Sequence, residues 1–550
     1  MKRSILILFV LAGASSTQAD EIPRRGRYES YTERAAQGSK MQLVAATYFG
    51  GEGLEEFIAA RVLSDGTIAA FGNAWGPVFP GTPQILGKGA YRGLKTSEAD
   101  SKGKSRLRPE NPDIAGMVVL YAPDLSSIKR VLRFDWGVAS LSAAALAPDG
   151  KGLIVAGRAT AAFRGWAGKA HVRPEPAAPE PAEGKKAAVK ETGPYEYEGV
   201  PLPGDVFLAQ LSTEGVLGWA WVFAGHRHPP TELWVDHDGN VYADLGGMTR
   251  ISADGATEKM LVPASGGRQS KFLAVDPADG SFFYGGDRNT NTGKEPWRQP
   301  FLYKYDPKGE KLWKLWEWAP KSLRDGVTPG VQGEVSDSSL RAMDVAPGGE
   351  LLIGGWSDGG NSLFLKQPTD ATKKVPTAAL SMDCSNMKGA NSLAHLLRID
   401  GKTLEASMHA FWVSYFPGNF SDARKAGTPN GARIRQLKAL PGGGAALVGS
   451  AASVLVQTPG AFYAYPGDGR GYGGECVVVY DADFSHFLFA SYLPGCENAS
   501  LWPTARGLVV VSRSHGDDGA KEPTKTPVLH ALQAEKKGEM DAHIFLLELP

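Results

Sequence analysis

The chain has no excess of either charge, no long apolar run in its interior and few cysteines. Lys+Arg and Asp+Glu both number 59 in 550 residues, so composition gives no basic surface of the kind that nucleic acid requires. After the N-terminus, no apolar run reaches the roughly 20 residues of a membrane-spanning helix. No glycine-rich phosphate loop joins a strand to a helix, and no Cys/His spacing fits zinc. Nucleic-acid binding, a membrane span and these two site types are therefore not expected.

The three cysteines leave two alternatives open. Cys476 and Cys496 flank two consecutive predicted strands, so a bridge between them would leave Cys384 free. Three unpaired, buried thiols fit the sequence equally well.

The composition is rich in turn-forming residues and large aromatic residues. The 68 glycines, 37 prolines, 13 tryptophans and 17 tyrosines are typical of many short strands joined by tight turns. The hydrophobic content of 42% is enough to build a sizeable core.

The N-terminus has the pattern of a secretory signal. Lys2 and Arg3 precede the apolar run from Ile5 to Leu11, and Thr17-Gln-Ala19 forms a small-residue cleavage site. The alternative, a membrane anchor, is disfavoured because the run is too short to span a bilayer. We expect residues 1–19 to be a signal peptide cut after Ala19 and the protein to be secreted or periplasmic. Residues 20–40 are predicted to be poorly ordered, and residues 41–550 to form one domain.

A strand, a tight Asp-Gly or Gly-Gly turn and a second strand recur along the chain. Seven hairpins occur, in the order Ala59–Asn73, Ser142–Arg158, Leu233–Leu245, Phe272–Gly286, Arg341–Trp356, Gln436–Ser450 and Leu501–Arg513. The first six turn on Asp-Gly or Gly-Gly, and the last and weakest turns on Gly507. A second strand pair follows six of them. After the seventh, Asp541–Leu549 has no following strand, whereas Leu43–Gly51 has no preceding one. The sequence therefore predicts an all-β, seven-bladed β-propeller of four-stranded antiparallel blades, its last blade closed by the N-terminal strand.

Two segments resemble a known bacterial repeat. Thr47-Tyr-Phe-Gly-Gly51, Val62-Leu-Ser-Asp-Gly66 and Val78-Phe-Pro-Gly-Thr-Pro83 form one copy, and Gln457-Thr-Pro-Gly-Ala-Phe462 with Ser491-Tyr-Leu-Pro-Gly495 forms another. They are similar to the SBBP-type β-propeller repeat family. Val235–Asn240 and Val275–Gly280 match it locally, and the remaining units match it in pattern only. The resemblance implies a secreted or surface-exposed propeller and supplies no catalytic residues.

The long insertions are predicted, almost without exception, at the middle turns of the blades and therefore on one face. In an antiparallel meander the first and third turns lie on one face, and the middle turn and the link to the next blade lie on the other. The middle-turn insertions are Trp75–Ala115, Ala159–Gly204, Asp287–Arg298, Ser357–Ser392, Ala451–Glu475 and Ser514–Met540. Loops gathered on a rigid scaffold favour binding. One stretch, 171–203, is rich in Pro, Ala, Glu and Lys and is predicted to be a mobile spacer.

Candidate ligand and metal residues fall on this loop-rich side. Histidines can bind metals or transfer protons, and the candidates are His226, His228 and His515. Aromatic rings can stack on sugars or pack against a partner, and the candidates are Trp75, Trp166, Trp297, Trp356, Tyr463 and Tyr472. Polar loop residues and packing between blades are the competing interpretations. Asp287, Asn289 and Asn291 alternate like calcium ligands, although the glycine of that loop falls one residue late and no closing acidic residue follows. We expect no cofactor, with calcium as the alternative.

These observations favour a non-catalytic exported propeller that binds a protein or glycan through its loop-rich side. The alternative is a polysaccharide lyase or hydrolase with a site at the pore mouth near His226, His228 and His515. A purely structural surface module is the third interpretation.

Overall fold

A computed structural model describes most of the chain after its first 36 residues. The described residues are 37, 40–75, 82–87, 114–136, 139–168, 170–174, 196–197, 200–201, 204–226, 228–264, 270–289, 298–316, 336–358, 362–379, 393–412, 414–415, 432–451, 454–455, 458–462, 474–514, 526–538 and 540–549. Among them, no helix is long and apolar enough to cross a membrane.

The strands form seven sheets in chain order, which we number as blades. The first strand is β1 (Gln42–Phe49), and blade 1 follows with β2 (Glu55–Val62), β3 (Ile68–Ala74), β4 (Gln84–Gly87), β5 (Ala115–Tyr121) and β6 (Ile128–Asp135). Blade 2 contains β7 (Ala139–Leu146), β8 (Leu153–Ala159), β9 (His171–Arg173), β12 (Asp205–Leu211) and β13 (Leu217–Phe223). Its middle insertion also holds the helix α1 (Ala161–Ala167) and a two-stranded pair, β10 (Glu196–Tyr197) and β11 (Val200–Pro201).

Blades 3 and 4 are simple four-stranded sheets. Blade 3 contains β14 (Leu233–Val235), β15 (Val241–Asp244), β16 (Gly247–Ile251) and β17 (Glu258–Pro263). Blade 4 contains β18 (Lys271–Val275), β19 (Phe282–Asn289), β20 (Arg298–Tyr305) and β21 (Lys311–Leu315).

The last three blades repeat the same order. Blade 5 contains β22 (Ser338–Val345), β23 (Leu351–Ser357), a 3₁₀ turn (Leu363–Leu365), β24 (Leu393–Ile399) and β25 (Ala406–Trp412). Blade 6 contains β27 (Arg433–Ala439), β28 (Ala445–Ala451), β30 (Gly474–Tyr480) and β31 (Phe487–Tyr492), beside a short pair of β26 (Ser414–Tyr415) and β29 (Val454–Leu455). Blade 7 contains β32 (Cys496–Pro503), β33 (Gly507–Ser514) and β34 (Asp541–Glu548).

The hairpin turns form where the sequence predicts them. Gly66 has a φ of +83°, a left-handed conformation that glycine adopts without steric cost. Asp65 accepts a hydrogen bond from the backbone N–H of Thr67 over 2.8 Å, which holds the turn in place. Short turns of this kind lie on what we call the turn face, and the middle turns and blade-to-blade links lie on the opposite, loop-rich face.

The N-terminal strand closes the ring. β1 pairs antiparallel with β34, from Gln42 opposite Glu548 to Phe49 opposite Ala542, and the strand order of blade 7 is β1-β34-β33-β32. Phe49 is buried and stacks on Phe57 of blade 1, with ring centroids 5.8 Å apart. The predicted split blade and the seven-bladed fold are confirmed.

Parts of the insertions cover the outer edges of the blades. β4 pairs parallel with β6, and β9 pairs parallel with β13, which adds a fifth strand to blades 1 and 2. Similar backbone contacts join Thr377 to His409 in blade 5, Thr458 to Ala490 in blade 6 and Leu529 to Ala46 in blade 7. An uncovered edge strand invites pairing with other chains. These insertion segments therefore have a structural role that the loop pattern did not reveal, and β9 lies at the start of the stretch predicted to be mobile.

Candidate functional site

The first strand of each blade is its innermost strand, and neighbouring first strands contact one another around the channel. Arg61 of β2 donates to the carbonyl of Ala144 in β7, and Lys438 of β27 donates to Asp344 of β22. Each first strand begins at the loop-rich face and ends at the turn face. Side chains near the start of these strands therefore lie where the channel opens among the loops.

A β-bulge recurs in these inner strands. At the bulge, the pairing with the second strand of the blade skips one residue in blades 1, 2, 4, 5 and 6 and two residues in blade 7. The skipped residues are, in that order, Ile58, Ser142, Leu273, Arg341, Arg435 and Asn498–Ala499. A bulge re-aims the side chain of the extra residue. Blades 5 and 6 carry arginine there, so two guanidinium groups are set by the fold at adjacent positions.

These two arginines line a cavity of about 730 Å³ between blades 4, 5 and 6, which we call the arginine pocket. Its described lining is Ser270, Lys271, Arg298, Leu340, Arg341, Trp356, Arg433, Ile434, Arg435, Gly449, Ser450 and Glu475. Every one of these residues lies in or next to the half of a strand that is nearer the loop-rich face. The lining contains five cationic side chains and one carboxylate, in a protein whose formal net charge is zero.

The cations of the pocket differ in how they are compensated. Arg435 forms an ion pair with Glu475 and donates to Asn498 over 3.3 Å. Arg341 has no hydrogen-bond acceptor among the described residues. Burial lowers the pKa of Arg341; the charge of Asp287 opposes this shift, and the like charges of Arg298 and Arg433 add to it. Arg341 is thus a half-buried cation in a positive environment.

Asp287 and Trp356 both interact with Arg341. Asp287 is buried and accepts a hydrogen bond from the hydroxyl of Ser339 over 2.8 Å. Burial raises the pKa of Asp287, while Arg298 and Arg341 act against that rise. The guanidinium carbons of Arg298 and Arg341 lie 5.7 and 5.4 Å from the ring centre of Trp356. This geometry allows cation–π attraction and holds both arginines at the pocket wall.

A second cationic cluster lies at the turn-face end of the channel. The guanidinium of Arg61 stacks 4.0 Å from the ring centre of Trp502, and the ammonium of Lys438 is 5.5 Å from the same ring. Burial lowers the pKa of Arg61 to about 10. Lys438 also pairs with Asp344 over 3.1 Å. The Arg61 guanidinium donates to two backbone carbonyls, so this cluster has internal partners that Arg341 lacks.

Of the predicted site residues, Trp356 lines the arginine pocket, and Asp287 lies close enough for the charges of Arg298 and Arg341 to act on it. Trp75 is only 6% exposed, and Trp166 of α1 packs on Trp136 with ring centroids 4.8 Å apart. These two tryptophans belong to the packing of blades 1 and 2.

The predicted histidines lie elsewhere on the loop-rich face. The ring of His226 meets Phe223 of the outer strand β13 edge-on at 5.8 Å, and burial, with a contribution from Arg173, lowers its pKa. His228 is exposed. Trp297, Tyr463, Tyr472, His515 and Asn291 lie outside the described residues, and only the backbone of Asn289 is described. Within the described residues, no group of three or more His, Cys, Asp or Glu side chains forms a metal cluster.

Cys476 and Cys496 are both buried and free, so the first alternative, a bridge between them, is not formed. Burial raises the pKa of the Cys496 thiol to about 12. Cys384 lies outside the described residues.

Three polar side chains inside blade 5 form a buried row of hydrogen bonds. Ser357 Oγ is 2.6 Å from His395 Nε2, and His395 Nδ1 is 2.9 Å from His409 Nε2. Burial lowers the pKa of His409 to about 3, and all three residues are fully buried. Since no substrate reaches a serine at 0% exposure, we interpret this row as part of the packing of the blade.

The sequence reasoning missed Lys271 and the four pocket arginines. For the residues on inner strands, the available signal was a charged residue inside an otherwise apolar strand pattern, as in Arg433-Ile-Arg435. The convergence of these residues depends on the bulges and on the packing of three blades, which strand periodicity does not encode.

No protein-family model matches the sequence, and no curated protein is similar to it in sequence. Among solved structures, the chain is similar to a protein of unknown function from Dyadobacter fermentans, with 11% identity, a TM-score of 0.38 and coverage of 93% of this chain and 100% of that one. It is also similar to the β-propeller domain of Cps50 (Swd1) from Myceliophteria thermophila, with 9% identity, a TM-score of 0.38 and coverage of 92% and 99%. The Dos1 propeller gives 8% identity, a TM-score of 0.36 and coverage of 92% and 95%. These likenesses concern the fold alone.

Proposed function

We propose that this protein is an exported, non-catalytic propeller that binds a protein or glycan ligand through its loop-rich face, anchored in the arginine pocket. The observation that carries the proposal is the set of five cations on strands of three adjacent blades, at the face where the long insertions emerge. Binding sites are usually concave and largely pre-formed, and this pocket is both.

The position of the pocket on strand ends supports binding. The backbone that carries these side chains is already fixed by strands and bulges, so less affinity is lost to ordering than for side chains on a flexible loop. The insertions that surround the mouth would then add contacts to a ligand larger than the pocket. Export is supported by the N-terminal signal pattern and by the resemblance of two segments to SBBP-type repeats, and we propose a secreted or periplasmic location.

A panel of immobilised glycans and candidate proteins tests the proposal. We expect the wild type to bind at least one member of the panel, and the double variant Arg341→Gln/Arg433→Gln to lose that binding. The matched control is Arg506→Gln, because Arg506 is an exposed arginine on the turn face. Binding that survives in the double variant, or that is lost equally in the control, would show that the arginine pocket does not anchor the ligand and would overturn the proposal. Release of shortened sugar products from a bound polysaccharide would instead support the lyase or hydrolase alternative.

A further inference from the structure

The guanidinium groups of the arginine pocket carry donors that the chain itself does not use. In the part of the chain that the structure describes, the side chains of Arg298, Arg341 and Arg433 have no hydrogen-bond acceptor; the backbone N–H of Arg298, in contrast, donates to Asp337 over 3.1 Å. Each guanidinium has five N–H donors in a planar fork that matches a carboxylate. The carboxylate of Asp287 accepts its hydrogen bond from Ser339, so it offsets the positive charge of Arg298 and Arg341 only in part. An anion bound in the pocket would accept hydrogen bonds from these N–H groups.

The charges come from neighbouring blades and are therefore separated around the mouth. Arg298 belongs to blade 4, near Arg341 of blade 5, whereas Arg433 and Arg435 begin the inner strand of blade 6. Glu475 already neutralises Arg435, so the remaining arginine charge divides between the Arg298–Arg341 side and Arg433. A ligand with two or more negative groups at separate positions fits this division better than a single small anion.

The rest of the lining fits a sugar. Ser270 and Ser450 supply hydroxyl groups, Trp356 supplies an aromatic ring, and Ile434 supplies an apolar surface. A volume of about 730 Å³ lies within the range of small-ligand sites, roughly 300–1,000 Å³, and admits a short stretch of a polymer. An acidic peptide would share the carboxylates but not the need for hydroxyl partners.

We propose that the arginine pocket binds an acidic saccharide, with carboxylates on successive sugar units paired to Arg341 and Arg433. This inference rests on the proposed function and names the ligand class of the same site. Arg341 holds its carboxylate in a half-buried position where charge-assisted hydrogen bonds are strong, and Arg433 holds the next one at the exposed rim.

Titration calorimetry of the full chain with hexagalacturonate and with its fully methyl-esterified form provides the test. The ester has the same sugar backbone without the charges, so it isolates the carboxylates. We expect the acid to bind at least about tenfold more tightly than the ester, because each hydrogen bond between charged groups contributes about tenfold or more. Affinity for the acid should fall as salt is raised.

Variants then assign the effect to the pocket. Arg341→Gln and Arg433→Gln should each weaken binding of the acid by about tenfold and leave the ester unchanged. Arg433 is exposed, so its variant tests the proposal even if Arg341→Gln fails to fold. Arg506→Gln on the turn face should bind like the wild type.

The outcomes separate the two proposals. Equal affinity for acid and ester, with both lost in the arginine variants, would overturn the acidic-saccharide inference and leave the binding scaffold standing. Binding of a poly-glutamate peptide but not of hexagalacturonate would also overturn the inference, in favour of an acidic protein segment. No binding of either saccharide or the peptide, together with a negative panel, would overturn both.

Discussion

His543 lies in the seam between the two ends of the chain, and its buried ring should make ring closure sensitive to acid. It stands opposite Tyr48 in the β1–β34 register, with ring centroids 5.1 Å apart. Its Nε2–H donates to the carbonyl of Pro527 over 3.0 Å, whereas its Nδ1 has no hydrogen-bond partner in the described part of the chain. Burial lowers the pKa of His543 to about 4. Protonation of Nδ1 would place a charge and an unpaired donor inside blade 7.

The sign of the effect follows from the two protonation states. An unfolded histidine titrates near pH 6.5, so below that pH the unfolded chain binds a proton that the folded chain excludes. The free energy of unfolding is therefore fully maintained above about pH 6.5 and falls as the pH decreases toward about 4. The difference between the two pKa values corresponds to roughly 3 kcal/mol lost across that window.

Urea unfolding of the wild type and of His543→Gln, at about pH 7.5 and at about pH 4.5, measures this contribution. The glutamine amide keeps a donor toward Pro527 and does not titrate. His395 and His409 are also buried histidines, but they contribute equally to both proteins and cancel in the comparison. We expect the wild type to lose about 2–3 kcal/mol more than the variant between the two pH values. Equal losses in the two proteins would refute the reasoning, and His237→Gln, at an exposed turn, should behave like the wild type.

Two further changes test the closing blade itself. A Cβ atom at Gly50 would lie 2.3 Å from the carboxyl carbon of Asp541. The Asp541 oxygens accept hydrogen bonds from the backbone N–H groups of Lys537 and Gly538, so this carboxylate is held in place. Gly50→Ala should therefore lower the free energy of unfolding, measured in urea, by about 1–3 kcal/mol. Gly348→Ala is the matched control, since a Cβ atom there would have no described atom within 4 Å beyond its chain neighbours; an equal cost would contradict the argument. Removal of residues 42–49 should expose the edge of β34 and lower the melting temperature of the whole ring, and an unchanged melting temperature would mean that β1 does not close it.

The fold was predictable from the sequence because its signal is local and repeated. Asp-Gly and Gly-Gly turns mark six of the seven hairpins, and Gly507 marks the last. Leu43–Gly51 has no preceding partner and Asp541–Leu549 has no following one, so the two ends must pair to close the ring. Each of these signals can be read within a short window of residues.

For the candidate site, the sequence predicted only the face of the molecule on which it lies and not its residues. Arg341 and Arg435 become neighbours because both occupy bulges in adjacent inner strands, and a bulge shifts the register by one residue without a sequence pattern of its own. The edge-covering role of the insertions was also hidden, since the contact of Leu529 with Ala46 joins segments at opposite ends of the chain. Both the pocket and the covered blade edges depend on packing between residues that are far apart in the sequence.

The position of a bound acidic saccharide is the most direct test of the site. A crystal structure of the full chain with hexagalacturonate should show a carboxylate within about 2.7–3.0 Å of the guanidinium of Arg341 and a second carboxylate at Arg433. A saccharide bound in the cavity between Lys129 and Lys151 on the turn face, or outside the arginine pocket on the loop-rich face, would contradict the account.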